Sequence, residues 1–380
     1  MVSNLQNIES QSLVKKEVVV VAYTDNEHYR FSDGLCAIQR NQLWGFIDTT
    51  GKFVIDFRFS SNGFEIPTFH EGKCCVSIQS SSGEITPIYI DKAGNTLFQN
   101  QVFSGITAFS NGLAIVEKTE STKSPYLSLI DSTGKPVAGA ISPGYSPDMK
   151  LEFRGFSDGL AAIFDSKTNS WGFINTKGKW AILPDSKFQT VGDFHDGLAY
   201  IQNAAEGKWG AINTKGELII PYMYDNRPLD FAEGLSAVRN QEDKVGYIDK
   251  TGNLIIPYHY EPIMNQNGLS FFEGNAIVSR EGNYYSISAI GKENLKIGDA
   301  SMEVRMLQNG LIAFKKWTKS EIWGIGLIRT NGEVLLEPNQ LYQLEEFDNG
   351  LAHAQAKING LNYNGFVDLE ANFVILNENQ

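Results

Sequence analysis

Carboxylates recur in this 380-residue chain at two fixed positions, and a carboxylate can act as a general acid or base or as a calcium ligand. One column consists of Asp48, Asp91, Asp131, Asp249 and Asp368. The other consists of Asp33, Glu71, Asp158, Asp196, Glu233 and Glu273. Acid-base catalysis needs two carboxylates that converge in one cleft, whereas these recur once per repeat. Their spacing argues against a catalytic pair.

Asparagine replaces the acid in both columns, which indicates a structural role. Asn175 and Asn213 stand in the first column, where an amide keeps the hydrogen bond of a turn but has no acid function. The second column admits Asn111, Asn309 and Asn349. The Asp-x-Asp-x-Asp-Gly spacing of a calcium loop is missing from the sequence. We therefore predict that the first column caps the hairpin turns, that the second column is also structural, and that the chain uses no metal and no cofactor.

Cysteine and histidine offer no recognisable nucleophile paired with a base. Cys36 and Cys74 share a position that most other repeats fill with Ala or Ser, which predicts a small packing residue rather than a reactive thiol. His28 and His353 lie near the two ends of the repeat array. A single enzymatic site built around either histidine is our third hypothesis, and we predict no catalytic residue.

Tyrosines form the densest group of side chains that could stack on a sugar or a peptide. The candidate binding surface comprises Tyr222, Tyr224, Tyr258, Tyr260, Tyr145 and Phe64. The first four also fit a packing role, half-buried under a return loop with their hydroxyls reaching solvent. Both interpretations are open from the sequence.

A recurring hairpin motif carries most of these side chains. Residues 208–221 read KWGAINTKGELIIP, in which two β-prone runs flank an Asn-x-x-Gly turn. The Asn can bond its own backbone, and the Gly can adopt a positive φ without a Cβ clash. The Trp-Gly pair suggests a place where neighbouring backbone approaches closely under an aromatic cover.

A second motif, Phe-x-x-Gly-Leu, sets the period of the repeat. Its nine glycines are Gly34, Gly72, Gly112, Gly159, Gly197, Gly234, Gly274, Gly310 and Gly350. Their spacings run from 36 to 47 residues with a mean near 40. Helical periodicity is almost absent. Each repeat contains three clear strands, followed by an irregular return segment that leads to the next Phe-x-x-Gly-Leu motif and has room for a short fourth strand.

These patterns predict an all-β repeat fold, a closed β-propeller-like ring of about nine units of about 40 residues. Nine units exceed the usual range of about four to eight blades, so an open β-solenoid or superhelix of β-hairpins is the alternative. The segment before Phe31 resembles the second half of the fifth repeat. We therefore expect the first strand to join the last repeat and cover sheet edges.

We predict an N-terminal tail at residues 1–16 and a single repeat domain at residues 17–380. The copies differ most at residues 138–153, at residues 57–68 and in the seventh repeat. Because turn and core chemistry explains the shared positions, function is expected where the copies differ.

Composition restricts the partners. The 32 basic and 44 acidic residues leave a net charge of −12, which argues against binding a nucleic-acid backbone. No apolar run approaches the roughly 18 residues of a membrane helix, and no signal peptide is recognisable. Three cysteines, two of them adjacent, make no disulfide framework. The expected location is the cytoplasm.

The motifs KWGAINTKGELIIPYMYD, KVGYIDKTGNLIIPYHYE and LWGFIDTTGKFVID resemble the bacterial WG repeat, named for its Trp-Gly pair. The resemblance extends over about residues 17–380. It implies a β-repeat module that mediates interactions, and no catalytic residues come with it.

We therefore expect a non-enzymatic interaction module that binds a protein partner through a loop face or a central opening. The alternative is binding of a carbohydrate or cell-envelope ligand by Tyr and Trp side chains. An enzyme with a single site in the degenerate repeats is the third hypothesis.

Overall fold

Apolar runs between the repeated turns form short antiparallel strands in the computed structural model. The structure describes residues 14–24, 29–60, 66–118, 126–137, 155–165, 168–263, 269–299, 301–317 and 323–377. These residues contain 31 strands and no α-helix, which confirms the all-β class. The chain divides into a first unit, Met1–Gln101 with Leu311–Gln380, and a second unit, Val102–Gly310. That residues 17–380 form one domain stays a prediction, and each unit is described by itself.

The chain begins in the first unit, continues through the second and returns to the first. The first unit begins with β1 (Val14–Val21), β2 (Phe31–Ser32), β3 (Leu35–Arg40), β4 (Leu43–Asp48), β5 (Phe53–Ser60), β6 (Phe69–His70), β7 (Lys73–Gln79) and β8 (Ile85–Asp91). The second unit contains β9 (Gly105–Ile106), β10 (Leu113–Lys118), β11 (Tyr126–Asp131), β12 (Leu160–Asp165), β13 (Ser170–Asn175), β14 (Trp180–Asp185), β15 (Phe188–Val191), β16 (Leu198–Asn203), β17 (Trp209–Asn213), β18 (Leu218–Tyr224), β19 (Leu235–Arg239), β20 (Val245–Asp249), β21 (Leu254–Tyr260), β22 (Asn275–Arg280), β23 (Asn283–Ser288), β24 (Glu293–Asp299) and β25 (Glu303–Met306). The first unit ends with β26 (Leu311–Trp317), β27 (Trp323–Arg329), β28 (Val334–Leu344), β29 (Leu351–Ile358), β30 (Leu361–Asp368) and β31 (Phe373–Asn377).

Each repeat contributes a small meander, and the fifth repeat shows it most completely. Its sheet has the order β15-β16-β17-β18, and all three pairings are antiparallel. The short fourth strand expected in a return segment is β15, which joins the sheet of the repeat that follows it. The fourth and sixth repeats form the three-stranded sheets β12-β13-β14 and β19-β20-β21. In all three sheets the last strand, which contains a proline, is an edge strand: β14, β18 or β21.

Consecutive repeats of the second unit pack through the turn glycines. A Cβ atom built on Gly216 would lie 3.3 Å from Ile182 of the preceding repeat, and one built on Gly291 would lie 3.2 Å from Ile256. Both isoleucines are buried on the outer strand of their own repeat. The turn glycine therefore permits the positive φ of the turn and also leaves room for the neighbouring repeat.

The first strand joins the last repeat in the first unit, as expected. β1 pairs with β31 in parallel, with Val19 opposite Ile375 and Val21 opposite Asn377. β1 begins at Val14, so the last residues of the predicted 1–16 tail belong to a strand, while residues 1–13 lie outside the described part. Backbone pairing with β31 extends the strand beyond its apolar run, which the sequence pattern alone did not indicate.

The small-residue position lies in the core of the sheets in both units. Cys36 and Cys74 are buried there, and the equivalent Ala199, Ser236 and Ala352 are also at most 1% exposed. The packing role predicted for this position is confirmed.

Candidate functional site

The first acidic column caps the hairpin turns, as predicted. Asp249 shows the pattern: its Oδ1 atom accepts hydrogen bonds from the amides of Thr251 and Asn253, both at 2.9 Å. The Thr251 hydroxyl also donates to Oδ1 at 2.6 Å and lowers the pKa of Asp249. Asn175 accepts the same two backbone bonds, from Lys177 at 2.9 Å and Lys179 at 3.2 Å. A negative charge is therefore not required at this position.

The second acidic column links one repeat to the next, which sequence reasoning missed. Its residues have φ near +50°, and the side chain accepts a hydrogen bond from the Gly amide of the following repeat. In the second unit Asp158 accepts from Gly197 and Asp196 accepts from Gly234, both at 2.7 Å. The sequence predicted a structural role for these carboxylates but did not indicate their partners, because their acceptor atoms reach 38 or 39 residues along the chain.

The same link joins the ninth repeat to the first within the first unit. The amide of Gly34 donates to Oδ1 of Asn349 at 2.7 Å, while Asp33 accepts from Gly72 at 2.6 Å. Asn349 shows again that an amide oxygen serves as well as a carboxylate. Residues of both columns therefore bond to backbone amides and act as structural links.

The glycine of the Trp-Gly pair marks a close backbone approach, as the sequence suggested. A Cβ atom on Gly210 would lie 2.6 Å from the carbonyl oxygen of Ile220. The equivalent Gly246, which follows Val245 instead of a Trp, is as constrained, since its Cβ atom would lie 2.8 Å from the carbonyl oxygen of Ile256. The register between β17 and β18 shifts between Trp209 and Ala211, so the outer strand bulges onto this glycine. The motif builds the sheet.

The two buried thiols and the buried histidine offer no accessible reactive group. Burial raises the pKa of the Cys36 and Cys74 thiols, which disfavours the thiolate that a nucleophile requires. His353 is 0% exposed, and its Nε2 atom lies 2.9 Å from Oδ1 of Asn364. A substrate cannot reach this ring, while His28 lies outside the described residues.

The candidate tyrosines fall into two classes. Tyr224 and Tyr260 are buried, and burial raises the pKa of Tyr224 to about 12, so neither ring offers a stacking surface. Tyr222 and Tyr258 are half-buried, and their rings lean over Gly210, which follows Trp209, and Gly246, which follows Val245. Of the described tyrosines in the candidate binding surface, only Tyr222 and Tyr258 have ring edges that face outward.

Two further residues of the candidate surface, Tyr145 and Phe64, lie outside the described residues. The same holds for residues 138–153 and for part of residues 57–68, where function was expected.

The outer strands of the fourth to sixth repeats expose apolar side chains, and sequence reasoning missed this surface. Equivalent positions at the start of β14, β18 and β21 are occupied by Trp180, Leu218 and Leu254, which are 37%, 47% and 46% exposed. The next residues, Ile219 and Ile255, are also exposed. The sequence did carry a signal for this surface, since at least three consecutive apolar residues precede each Pro. A half-buried strand alternates apolar and polar residues and would have fewer.

More exposed apolar side chains extend this surface along the same strands. Leu183 is 71% exposed and Met223 is 56% exposed. We call Trp180, Leu183, Leu218, Ile219, Met223, Leu254 and Ile255 the outer-strand surface. An exposed apolar side chain is ordinary when isolated, but recurrence at one position of three consecutive repeats is typical of an interaction surface.

No described segment forms a helix with the length and apolar character of a membrane span. Within the same residues, no group of three or more His, Cys, Asp or Glu side chains is arranged to hold a metal ion.

Comparison with known proteins identifies the repeat. The family described as "WG containing repeat" matches residues 44–79, 89–120, 171–205, 209–244 and 246–284. These stretches contain the motifs that carry the resemblance seen in the sequence, which is thereby confirmed. No curated protein matches the chain.

Solved structures of low sequence identity are similar to this chain. A crystal structure of a eukaryotic initiation factor is 12% identical, covers 91% of this chain and 98% of its own, and has a TM-score of 0.52. The computationally designed Ika8 protein is 11% identical, with 93% and 100% coverage and a TM-score of 0.42. BamB from Moraxella catarrhalis is 11% identical, with 76% and 92% coverage and a TM-score of 0.38. The fold of this chain is an all-β, propeller-like repeat fold.

Proposed function

The chain belongs to the WG containing repeat family, and from that premise we propose that it is a non-enzymatic scaffold that binds a protein partner through the outer-strand surface. The observation that carries the proposal is the recurrence of exposed apolar side chains on β14, β18 and β21. A loop face or central opening was the expected binding region. We place binding on the outer strands because that is where the exposed apolar side chains recur.

The partner docks by side-chain contact rather than by adding a strand. β18 and β21 are edge strands, and each contains an exposed proline, Pro221 or Pro257. Proline has no N–H to donate to an added strand and is a common protection of sheet edges. The exposed Trp, Leu, Ile and Met side chains then provide the contact area, as apolar and aromatic anchors do in protein interfaces.

Charge placed in the outer-strand surface is expected to weaken partner binding. The double variant Leu218→Lys with Leu254→Lys leaves the buried side chains of both strands in place but puts two ammonium groups into the interface. We expect the amount of bound partner to fall about tenfold or more in affinity purification of the full chain, with the partner identified by mass spectrometry. Titration of that purified partner by calorimetry measures the same loss directly.

The matched control adds two lysines at exposed positions that are not part of the outer-strand surface. Ala205→Lys with Thr214→Lys changes the loop between β16 and β17 and the turn before β18, and both sites are exposed. This variant should bind the partner as the unsubstituted chain does. Equal binding by the outer-strand variant, or only background proteins on the unsubstituted chain, would contradict the proposal.

Carbohydrate binding is a second candidate function, and one observation in the first unit favours it. Trp317 and Trp323 face each other across the β26–β27 pairing and are 56% and 43% exposed. Their ring centroids are 5.6 Å apart with an edge-to-face angle of 74°. Exposed indole faces are suited to stacking on the apolar face of a sugar ring.

Alanine at both exposed tryptophans is expected to weaken glycan binding about tenfold on an array of bacterial glycans. The control is Trp180→Ala, which removes a tryptophan that is also partly exposed but lies in the second unit. A chain that binds no glycan, or that binds equally well without both indoles, would eliminate this function.

A further inference from the structure

A cavity in the second unit lies between the fifth and sixth repeats. Its volume is about 250 Å³. The apolar part is formed by Leu229, Ala237, Val245 and Leu269, of which the last three are at most 6% exposed. The polar part is formed by Asn226, Arg227 and Arg239. An apolar floor beside two guanidinium groups is the arrangement that an amphiphilic anion requires.

This combination of residues is particular to one place in the repeat array. Arg239 stands five residues after the glycine of its Phe-x-x-Gly motif, where the other repeats have Gln39, Ser77, Glu117, Phe164, Gln202, Ser279, Lys315 and Gln355. Gln202 uses that position for a hydrogen bond within its own hairpin, donating to the Gly207 carbonyl at 2.7 Å. Arginine at this position therefore departs from the structural pattern of the repeat.

Arg227 is held in a defined orientation at the edge of the cavity. Its Nη2 atom lies 2.6 Å from Oδ1 of Asp230, and its guanidinium lies 5.8 Å from the centre of the Trp209 ring. Gly192 leaves the space that this guanidinium occupies, because a Cβ atom there would lie 2.8 Å from Nη2. An oriented guanidinium loses less entropy when it binds a ligand.

Arg239 keeps most of its donor capacity. Its Nη1 atom lies 3.3 Å from Oδ1 of Asp243, whose side chain is 62% exposed. An ion pair of this exposure contributes little and can be exchanged for another anion. A guanidinium has five N–H donors, so a second carboxylate can bind beside this pair.

We infer that the cavity binds a carboxylate that bears a small apolar group, with Arg227 and Arg239 holding the carboxylate oxygens and the apolar floor covering the hydrocarbon. Asn226 lies on the same rim and can donate a further amide hydrogen bond. The volume is below the usual range of about 300–1,000 Å³ for drug-sized ligands, which favours a branched-chain or aryl monocarboxylate over a nucleotide. A free acid and the C-terminus of a peptide that ends in an apolar residue share this chemistry.

Calorimetry on the full chain with 4-methylpentanoate tests the inference. We expect saturable binding of the acid, and binding about tenfold weaker for the neutral 4-methylpentanamide, because the amide lacks the charge that pairs with the guanidinium groups. Arg239→Gln should weaken binding of the acid about tenfold or more. Gln occurs naturally at this position in three other repeats, so the variant is compatible with the fold.

Two further variants make the result specific. Lys315→Gln changes the basic residue at the equivalent position of the eighth repeat and should leave binding unchanged. Ala237→Ile introduces the residue that the third and seventh repeats have at this position, Ile115 and Ile277, and should block binding by filling the floor. No binding of the acid by the unsubstituted chain, or equal binding by Arg239→Gln, would overturn the inference.

A peptide arm of the experiment distinguishes the two sources of the carboxylate. Acetyl-Gly-Gly-Leu with a free C-terminus is compared with the same peptide ending in an amide. Binding of the free-terminus peptide at least as tight as that of 4-methylpentanoate, lost in the amide, supports a peptide C-terminus as the ligand. Binding of 4-methylpentanoate alone supports a small free acid.

Discussion

Gly210→Ala is expected to lower the free energy of unfolding by about 2–4 kcal/mol, although it adds a single methyl group. The added Cβ atom would lie 2.6 Å from the Ile220 carbonyl oxygen and 3.1 Å from the Pro221 carbonyl carbon. These are backbone atoms of β18, so the strain cannot be relieved by rotating a side chain. The outer strand must move away from β17 and weaken its contacts with the sheet.

Urea denaturation followed by tryptophan fluorescence measures this loss, because Trp209 precedes the substituted residue. Gly155→Ala is the matched control in the same unit. Gly155 has neither a positive φ nor a heavy atom within 4 Å of its added Cβ atom, so alanine fits without strain. We expect this control to be neutral or slightly stabilising, because alanine reduces the conformational entropy of the unfolded chain. If the two variants unfold alike, the close approach does not limit stability.

Tyr23→Ala is expected to destabilise the first unit by about 3–5 kcal/mol, the usual range for truncating a buried aromatic side chain. Tyr23 is 0% exposed, and its ring lies edge-on to Tyr29 with centroids 5.3 Å apart. Its amide donates to Oδ1 of Asn377 at 3.3 Å. Its ring centroid also lies 6.4 Å from that of Phe366 in β30, so the side chain holds the segment after β1 against the last repeat.

Hydrogen exchange measured by mass spectrometry locates the effect. Amides of β31 that lie beside β1, such as those of Ile375 and Asn377, should exchange faster in Tyr23→Ala, because the edge of the last sheet opens locally. Tyr23→Phe is the control, since it keeps the ring and removes the hydroxyl that lies 3.3 Å from Oδ1 of Asn364. This variant should lose about 1 kcal/mol and keep β31 protected. Unchanged exchange in Tyr23→Ala would show that β1 does not depend on this anchor.

The two variants separate the two ways in which the repeats are held together. Gly210 acts inside one meander, where the strands are close in sequence. The Tyr23 side chain joins segments that are 341 residues apart, through the bond of its hydroxyl to Asn364. The link from Gly34 to Asn349 supports the same junction with a hydrogen bond of 2.7 Å.

Features whose partners lie within a few residues followed from the amino-acid sequence alone. The turn caps are an example, because Asp249 bonds to amides two and four residues ahead, and Asp or Asn at that position is sufficient to predict them. The repeat period, the all-β class and the close approach at the Trp-Gly pair could also be predicted, because strand pattern and turn chemistry are local properties. The joining of the first strand to the last repeat followed from comparing one copy with another.

Tertiary structure alone decided which side chains meet across repeats. Tyr222 and Tyr224 read alike in the sequence, yet they pack in different places. Tyr224 belongs to a buried cluster with Trp209 and Phe231, whereas Tyr222 packs half-buried against the neighbouring cluster that contains Phe173. The carboxylate of Asp196 finds its donor on Gly234, and Arg227 and Arg239 come together at one cavity, through the stacking of adjacent repeats. Stacking depends on the twist and spacing of whole sheets, which no local pattern specifies. The exposed apolar surface and the anion site proposed for this chain both depend on that stacking.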